Sequence, residues 1–238
     1  MSADIFFSRE TLDDYLRALG KEYRKLTGTK IPAEIILVGG SSVVANYGFR
    51  DLTYDIDALI QAASSMKQAI LAISDQFGLP ANWLNSDFKK TNSYSPGLIQ
   101  HSVFYKMFSN VLYVRTVRGE YLVAMKLMSC RKYKNDISDI IGILWEHQKM
   151  GTPLTFQDID KAVSHLYGGW DDMPEESHPL LEKFLNTDHL EQLYKLYQHD
   201  KQSVKTMLIQ FDQENPGALK ESNLNYIIST IKKRKQES

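Results

Sequence analysis

An apolar segment that ends in two glycines, followed by a pair of aspartates in a second apolar segment, constrains the fold most. Residues 35–38 form a short continuous apolar run, as in a buried strand, and Gly39-Gly40-Ser41-Ser42 follows directly. Asp55-Ile56-Asp57 then lies within residues 53–60, which we predict to be a second strand. Since residues two apart point to the same side of a strand, Thr53, Asp55 and Asp57 should share one face.

The rest of the chain alternates between helical and strand patterns up to about residue 150 and is helical beyond it. Ser8 is a candidate N-cap of the first helix, because apolar residues follow it at helical spacing. The predicted helices span residues 8–25, 41–47, 64–77, 120–131, 136–149, 155–167, 177–186, 188–212 and 222–234, and the predicted strands span 35–38, 53–60 and 112–117. We therefore predict an α+β domain over residues 1–150 and a helical domain over residues 151–238.

The composition is that of an ordinary globular protein and argues against several classes of function. The formal net charge is −1, so no strong overall field attracts nucleic acid or an anionic membrane. The single cysteine, Cys130, excludes an intrachain disulfide and a cysteine-rich zinc site, and the six histidines lack metal-binding spacing. The chain shows no signal-peptide pattern and no apolar run of membrane-spanning length, so we expect a cytoplasmic protein with no membrane partner.

The two aspartates are chemically informative because like charges on one strand face repel each other. If they are partly buried, they are costly unless a positive charge lies between them. A hard divalent cation meets that need, and Mg²⁺ is typically held by one or two carboxylates together with substrate phosphates and water. The pattern at Asp55 and Asp57 therefore points to a magnesium site.

The glycine-rich turn supplies the complementary half of such a site. Glycines allow the backbone to approach a ligand closely, and a helix that starts at Ser41 or Ser42 directs N–H groups and its positive dipole end at an anion. Either motif alone is common, as a strand-to-helix connection or as an exposed polar strand face. In this order, a phosphate cradle beside a metal-binding carboxylate pair is what phosphoryl or nucleotidyl transfer requires.

This order of motifs resembles the nucleotidyltransferase fold of the DNA polymerase β superfamily. Within it, the chain is similar to the bacterial group of AbiEii-type toxins and related uncharacterised proteins, in which an arginine and a threonine precede Asp-x-Asp. Arg50 and Thr53 stand in those places here, with one extra residue between them. Residues 120–127 (EYLVAMKL) and 136–140 (DISDI) match two later motifs of the group. The resemblance covers about residues 34–148 and implies an α+β nucleotidyltransferase fold, to which the pattern after residue 150 adds the C-terminal helical domain.

The resemblance also implies roles for the matching residues in nucleotide and metal binding. Asp55 and Asp57 would bind Mg²⁺ and take part in catalysis. The residues that would bind the nucleotide are Gly39, Gly40, Ser41, Ser42, Arg50 and Thr53.

Three later residues would complete the catalytic set. Lys126 would steady phosphate charge, and either Asp136 or Asp139 would be a third acidic group, as metal ligand or as base for the acceptor hydroxyl. We expect the Lys126 ammonium within about 10 Å of the Asp55 or Asp57 carboxylate, with one of the later aspartates facing the same cleft. From the residues alone, Lys126 could instead lie on an exposed helix face, and Asp136 and Asp139 could simply favour a helix N-terminus.

The function implied is transfer of a nucleoside monophosphate from a nucleoside triphosphate to an acceptor hydroxyl, with Mg²⁺ as cofactor. The acceptor could be tRNA, a protein side chain or a small molecule, and the residues do not choose among them. The toxin component of a toxin–antitoxin or abortive-infection system, with a cognate antitoxin as partner, is one expectation. A nucleotide-binding or interaction module without catalysis is the alternative, because residues 112–117 lack the aspartate that polymerase-type relatives often carry there.

Overall fold

The computed structural model describes residues 6–131 and 135–215, and beyond them residues 217–218, 223, 226–227 and 230. The strands are β1 (Ala33–Leu37), β2 (Ile56–Gln61), β3 (Leu84–Asn85), β4 (Ser102–Phe108) and β5 (Leu112–Val117). The helices are α1 (Arg9–Thr27), α2 (Gly39–Asn46), α3 (Ser65–Phe77), α4 (Gly119–Ser129), α5 (Asp136–Lys149), α6 (Phe156–Tyr167), α7 (Ser177–Leu185) and α8 (Leu190–Glu214). Short 3-10 helices occupy Asp87–Lys90 and Pro96–Ile99.

The strands form one mixed sheet in the order β3-β2-β1-β5-β4. β1 lies in the middle, antiparallel to β2 and parallel to β5, and the outer strands β3 and β4 pair with β2 and β5. Helices flank this sheet, which confirms the predicted α+β class. In the described part of the chain, no helix combines the length and the apolarity that a membrane crossing requires.

Each face of the sheet is covered by its own hydrophobic core, because the strands alternate their buried side chains. Ile35 and Leu37 of β1 pack in a cluster with Leu16 of α1 and Ile70 of α3. Ile36, which points the other way, packs in a second cluster formed largely by helices α4–α7. On β2, Ile56 and Ala58 belong to the first cluster and Leu59 to the second, so the Asp57 side chain, which alternates with Ile56 and Ala58, lies on the second side of the sheet.

The helices that follow residue 150 contribute to the same core as the sheet. Ile159 and Val163 of α6 and Leu181 and Phe184 of α7 are fully buried in the cluster that contains Ile36. The predicted division near residue 150 stays a prediction, but the elements on its two sides share one buried cluster.

The predicted starting residues of β2 and α2 were wrong. The second strand begins at Ile56 and not at residue 53: Thr53 makes an isolated antiparallel bridge with Phe7, and the chain bends at residues 54–55. Thr53, Asp55 and Asp57 therefore do not share a continuous strand face. The first short helix begins at Gly39, two residues earlier than predicted, because both glycines already belong to its first turn.

Strands β3 and β4 were not predicted. β3 is only two residues long, and β4 is an edge strand whose pairing with β5 is irregular between Phe104 and Lys106, so strict alternation of apolar residues is lost. The observed helices α3 and α5–α8 agree with the predicted ones to within one or two residues. The helix predicted over residues 222–234 falls almost entirely outside the described residues.

Candidate active site

The turn after β1 and the start of β2 are bound to each other through the backbone. The Val38 N–H donates to the Asp57 carbonyl at 3.0 Å. Gly39 has a φ of +55°, and a Cβ built on it would lie 3.9 Å from Asp57 Oδ2. The N-terminus of α2 and the Asp57 carboxylate are therefore neighbours, which joins the two motifs of the sequence in one place.

The two serines of the turn are buried and hold α2 in position. The Ser41 hydroxyl donates to the carbonyls of Val38 at 2.8 Å and Asp57 at 3.0 Å. The Ser42 hydroxyl accepts the Val117 N–H of β5 at 3.0 Å. These hydroxyls thereby tie the helix to β2 and β5. Contact of either serine with a nucleotide stays a prediction, and the backbone N–H of Ser41 is the group that the first helical turn offers for it.

Gly40 is in close contact with two of the predicted nucleotide-binding residues. A Cβ built on Gly40 would lie 2.7 Å from Thr53 Oγ1 and 2.8 Å from Arg50 Nη2, which is too close for a real side chain. The structure thus brings Gly40, Arg50 and Thr53 together at the first turn of α2. Glycine is required here for close approach and not for an unusual φ, since Gly40 is absent from the positive-φ residues.

The charge distribution at this turn favours an anion. No side chain caps α2, and its first turn contains no acidic residue. The Arg50 guanidinium nevertheless lies against this positive end of the helix dipole, where a cation is unfavourable unless negative charge is near. Its Nη1 donates to Asp139 Oδ2 at 2.6 Å and its Nε donates to the Leu52 carbonyl at 3.0 Å. Unpaired helix N–H groups and a fixed guanidinium together suit a phosphate.

The carboxylate pair next to this turn favours a cation. Asp55 is exposed and Asp57 is half-buried. Burial, followed by repulsion from Asp55, raises the pKa of Asp57 to about 6, although the nearby charges of Arg131 and Lys126 act in the opposite direction. A carboxylate that is reluctant to ionise beside another carboxylate gains when a divalent ion is bound.

A further carboxylate near Asp57 was missed by the sequence analysis. β3 places Asn85 opposite Asp57, and Asn85 Oδ1 accepts the N–H of Asp87 at 2.8 Å. The Asp87 charge also contributes to the raised pKa of Asp57. The Asp87 side chain is 63% exposed and pairs with Lys90. Only the pairing of β3 with β2 brings it here, and the sequence carries no signal for a two-residue strand.

Lys126 is buried between the two later aspartates. Its ammonium lies 2.9 Å from Asp136 Oδ1 and 2.8 Å from Asp139 Oδ2, and only 7% of its side chain is exposed. Burial alone would lower the pKa of Lys126, but Asp139 and Asp136 raise it above its ordinary value. Lys126 therefore does not lie on an exposed helix face, and its charge acts on Asp57. Its distance from the first carboxylate pair stays a prediction.

Arginines bind the outer sides of the same two aspartates. Arg50 holds Asp139, and Arg131 Nε donates to Asp136 Oδ2 at 2.8 Å. Burial would raise the pKa of Asp136, but Lys126 and Arg131 lower it to about 2. We call the set Arg50–Asp139–Lys126–Asp136–Arg131 the ion-pair chain. It contains three cations and two carboxylates, so it presents net positive charge beside the two motifs.

A magnesium ion held by Asp55 and Asp57 would need further ligands from a bound substrate and water. Among the described residues, no group of three or more His, Cys, Asp or Glu side chains is placed to hold a metal ion. On the same face of the sheet, the β5 residue that lies level with Asp57 is Val117. Its side chain is apolar and buried in the core, so β5 adds no metal ligand there. Asp55 and Asp57 alone would supply two carboxylates, which is the number that Mg²⁺ usually takes when phosphates and water fill its remaining positions.

Comparison with known proteins identifies a family but no individual relative. A search of curated proteins and a search of solved structures return no significant match. The model of a family described as nucleotidyltransferase of unknown function (DUF6036) matches residues 14–147, more than half of the chain. This segment contains both motifs, the ion-pair chain and all five strands of the sheet. The mixed sheet agrees with a nucleotidyltransferase-like fold, and the chain belongs to this family of nucleotidyltransferases of unknown function.

Proposed function

We propose that the protein is a magnesium-dependent nucleotidyltransferase that transfers a nucleoside monophosphate from a nucleoside triphosphate to an acceptor hydroxyl. The observation that carries the proposal is the contact between two unlike sites. The anion-favouring turn at Gly40 and Arg50 directly adjoins the cation-favouring pair Asp55 and Asp57. A metal-bound triphosphate carries both kinds of charge and satisfies both sites at once.

Each group of the chain has a role that follows from its position. The N–H groups of the first turn of α2 and the Arg50 guanidinium would bind the triphosphate, with Thr53 at its side. Asp55 and Asp57 would hold Mg²⁺, which when bound neutralises phosphate charge and orients the α-phosphate for attack. The acceptor hydroxyl would lose its proton to water and its oxygen would bond to the α-phosphorus, while the bond from the α-phosphorus to the oxygen that bridges to the β-phosphorus breaks and pyrophosphate leaves.

Lys126, Asp136 and Asp139 receive a modified role in this proposal. Both carboxylates are already engaged by cations at hydrogen-bonding distance, which supports neither a metal ligand nor a base. We assign them as the counterions that keep Lys126 charged and that hold Lys126 and the two arginines in position. The ion-pair chain as a whole then offsets the excess negative charge that a triphosphate brings, and this is the phosphate-steadying role expected of Lys126.

The alternative is a nucleotide-binding module that lacks catalysis. Two observations favour it, because both leave the third acidic group unassigned. Asp136 and Asp139 are paired with Lys126, and the end of β5 carries the apolar Val117 in place of an aspartate. A role as the toxin of a toxin–antitoxin pair, with tRNA as acceptor, rests on the AbiEii-type resemblance alone. An adjacent small reading frame whose product neutralises this protein would support it.

Calorimetry with each of the four nucleoside triphosphates, with and without Mg²⁺, tests the binding step. We expect at least one triphosphate to bind only with Mg²⁺, and Asp57→Asn to weaken this binding at least tenfold. Asp172→Asn, at an exposed site in the loop before α7, is the matched control and should bind as wild type does. Absence of binding by all four triphosphates would contradict the proposal.

Transfer of label from the α-phosphate to an acceptor distinguishes the enzyme from the non-catalytic module. The protein is incubated with the triphosphate that binds and with tRNA, total protein or a small hydroxyl compound as acceptor. Label from the α-phosphate should move to one of these acceptors in wild type and not in Asp57→Asn. Tight binding without any transfer would favour the module.

A further inference from the structure

The C-terminal helix α8 makes a hydrogen bond to the loop that carries Arg50. The Tyr194 hydroxyl donates to the Phe49 carbonyl at 2.6 Å and accepts the Gln198 Nε2 at 2.8 Å. Phe49 precedes Arg50 directly, so this bond fixes the peptide plane from which the Arg50 side chain starts. A half-buried hydroxyl that both donates and accepts is held in one orientation.

The aromatic ring of Phe49 is clamped between α5 and α8. A Cβ built on Gly142 of α5 would lie 2.5 Å from the Phe49 ring, so only glycine leaves room for it there. On the other side the Tyr194 ring meets Phe49 edge to face, with 5.5 Å between centroids, and Trp145 lies 5.7 Å from Tyr194. The loop therefore has its backbone and its ring fixed by the same residue of α8.

The Arg50 side chain, which follows Phe49, is also held by several contacts. Its guanidinium binds the Leu52 carbonyl and Asp139 while lying against Gly40, and 11% of its side chain is exposed. Its geometry depends on Asp139 and the Leu52 carbonyl at the guanidinium and on the Phe49 peptide at the base of the side chain. Burial raises the pKa of Tyr194, so the phenol keeps the proton that the bond to the Phe49 carbonyl requires.

We infer that Tyr194 is a positioning residue for Arg50, and that through it the C-terminal helices help to form the triphosphate site. The inference rests on the proposed function. It extends that function beyond residues 14–147, the segment that the family shares, because α8 lies outside them. Tyr194 does not contact the triphosphate; it sets where the Arg50 guanidinium meets the phosphates.

The test compares Tyr194→Phe with Tyr197→Phe, a hydroxyl deletion in the same helix whose ring packs on Phe184. Both variants keep the ring and should unfold at the wild-type midpoint within a few degrees. With Mg²⁺ present, we expect Tyr194→Phe to weaken triphosphate affinity about fivefold to tenfold, in keeping with the loss of one partly buried hydrogen bond. Tyr197→Phe should bind as wild type does.

Repeating the substitution in a variant that lacks the Arg50 side chain shows whether Tyr194 acts through Arg50. In Arg50→Ala, where Asp139 keeps Lys126 as its partner, adding Tyr194→Phe should cause no further loss of affinity. Hydrogen exchange of residues 49–53 gives a readout without nucleotide: exchange should be faster in Tyr194→Phe and unchanged in Tyr197→Phe. If wild type binds no triphosphate, the proposed function fails, and exchange alone decides the positioning role. An equal loss of affinity in both backgrounds, or unchanged exchange, would overturn the inference.

Discussion

Gly40 shows how a single missing side chain assembles the site. The space that a Cβ would fill is occupied by Thr53 Oγ1 and the Arg50 guanidinium, both within 2.8 Å. Because φ at Gly40 is not positive, the reason for glycine is contact and not backbone strain. The residues that make the contact lie ten and thirteen positions after the glycine that permits it, so only the folded chain reveals the link.

We expect Gly40→Ala to displace Arg50 and so weaken binding of the magnesium–triphosphate by at least tenfold. Overpacking of this kind should also cost about 1–3 kcal/mol of unfolding free energy. Gly48→Ala is the control, because nothing lies within 4 Å of its Cβ position. Calorimetry and urea unfolding measure the two effects, and wild-type affinity in a folded Gly40→Ala protein would show that the turn is only a connection.

The raised pKa of Asp57 predicts how the affinity for Mg²⁺ with triphosphate depends on pH. Its raised pKa of about 6 means that folding favours the protonated carboxyl, so its contribution to stability is present below the unfolded pKa and is lost as pH rises through about 6. A cation needs the ionised form. Affinity for Mg²⁺ with triphosphate should therefore increase between pH 5 and about 7, and binding at pH 6 should release protons into the buffer.

Calorimetry in two buffers of different ionisation enthalpy measures that proton release. Asp57→Asn should reduce it to the release that the triphosphate's own terminal phosphate gives, whereas Asp172→Asn should leave it unchanged. An affinity that does not vary from pH 5 to 7 would contradict the assignment of Asp57 as the group that titrates.

At the scale of elements, the sequence predicted the order of β1, α2 and β2 because composition there is decisive. Its errors came from geometry that periodicity does not record. Both glycines belong to the first turn of α2, and the bend at residues 54–55 separates Thr53 from β2. Lys126, Asp136 and Asp139 were expected in one region, but their mutual pairing could not be read from α4 and α5 separately.

The ion-pair chain holds α4, α5 and the Arg50 loop together, and its loss should be costly. Lys126→Met removes the shared cation and leaves Asp136 and Asp139 buried with one arginine each. We expect about 3–5 kcal/mol of destabilisation, as for other broken buried pairs. Lys149→Met, which removes an exposed pair with Glu146, should cost under about 1 kcal/mol.

Urea unfolding at several pH values measures this difference. Because the pKa of Asp136 is lowered to about 2, its contribution is present above the unfolded pKa and is lost as pH falls through about 2. The gap between wild type and Lys126→Met should thus narrow in acid. Equal stability of Lys126→Met and Lys149→Met at neutral pH would contradict a central role for the ion-pair chain.

At the scale of the whole molecule, the sequence suggested two domains because the α/β alternation stops near residue 150. Periodicity describes each segment alone and does not show where its apolar face is buried. Leu122 and Ile140, on the early side of that boundary, lie in one cluster with Val163 and Phe184 on the later side. The helical segment therefore buries apolar side chains of α4 and α5.

A fragment of residues 1–150 should consequently not fold by itself. Burial of one Val, Leu, Ile or Phe side chain stabilises by about 1.5–3 kcal/mol. The fragment loses four such side chains that are fully buried: Ile159, Val163, Leu181 and Phe184. Their loss, of about 6–12 kcal/mol, is comparable with the whole stability of a typical domain, about 5–15 kcal/mol. The fragment should bind an apolar dye and unfold without a cooperative transition, as followed by circular dichroism.

Co-expression with residues 151–238 is the control and should restore a cooperative transition and triphosphate binding together. A fragment that unfolds cooperatively on its own would show that residues 1–150 form an independent domain after all.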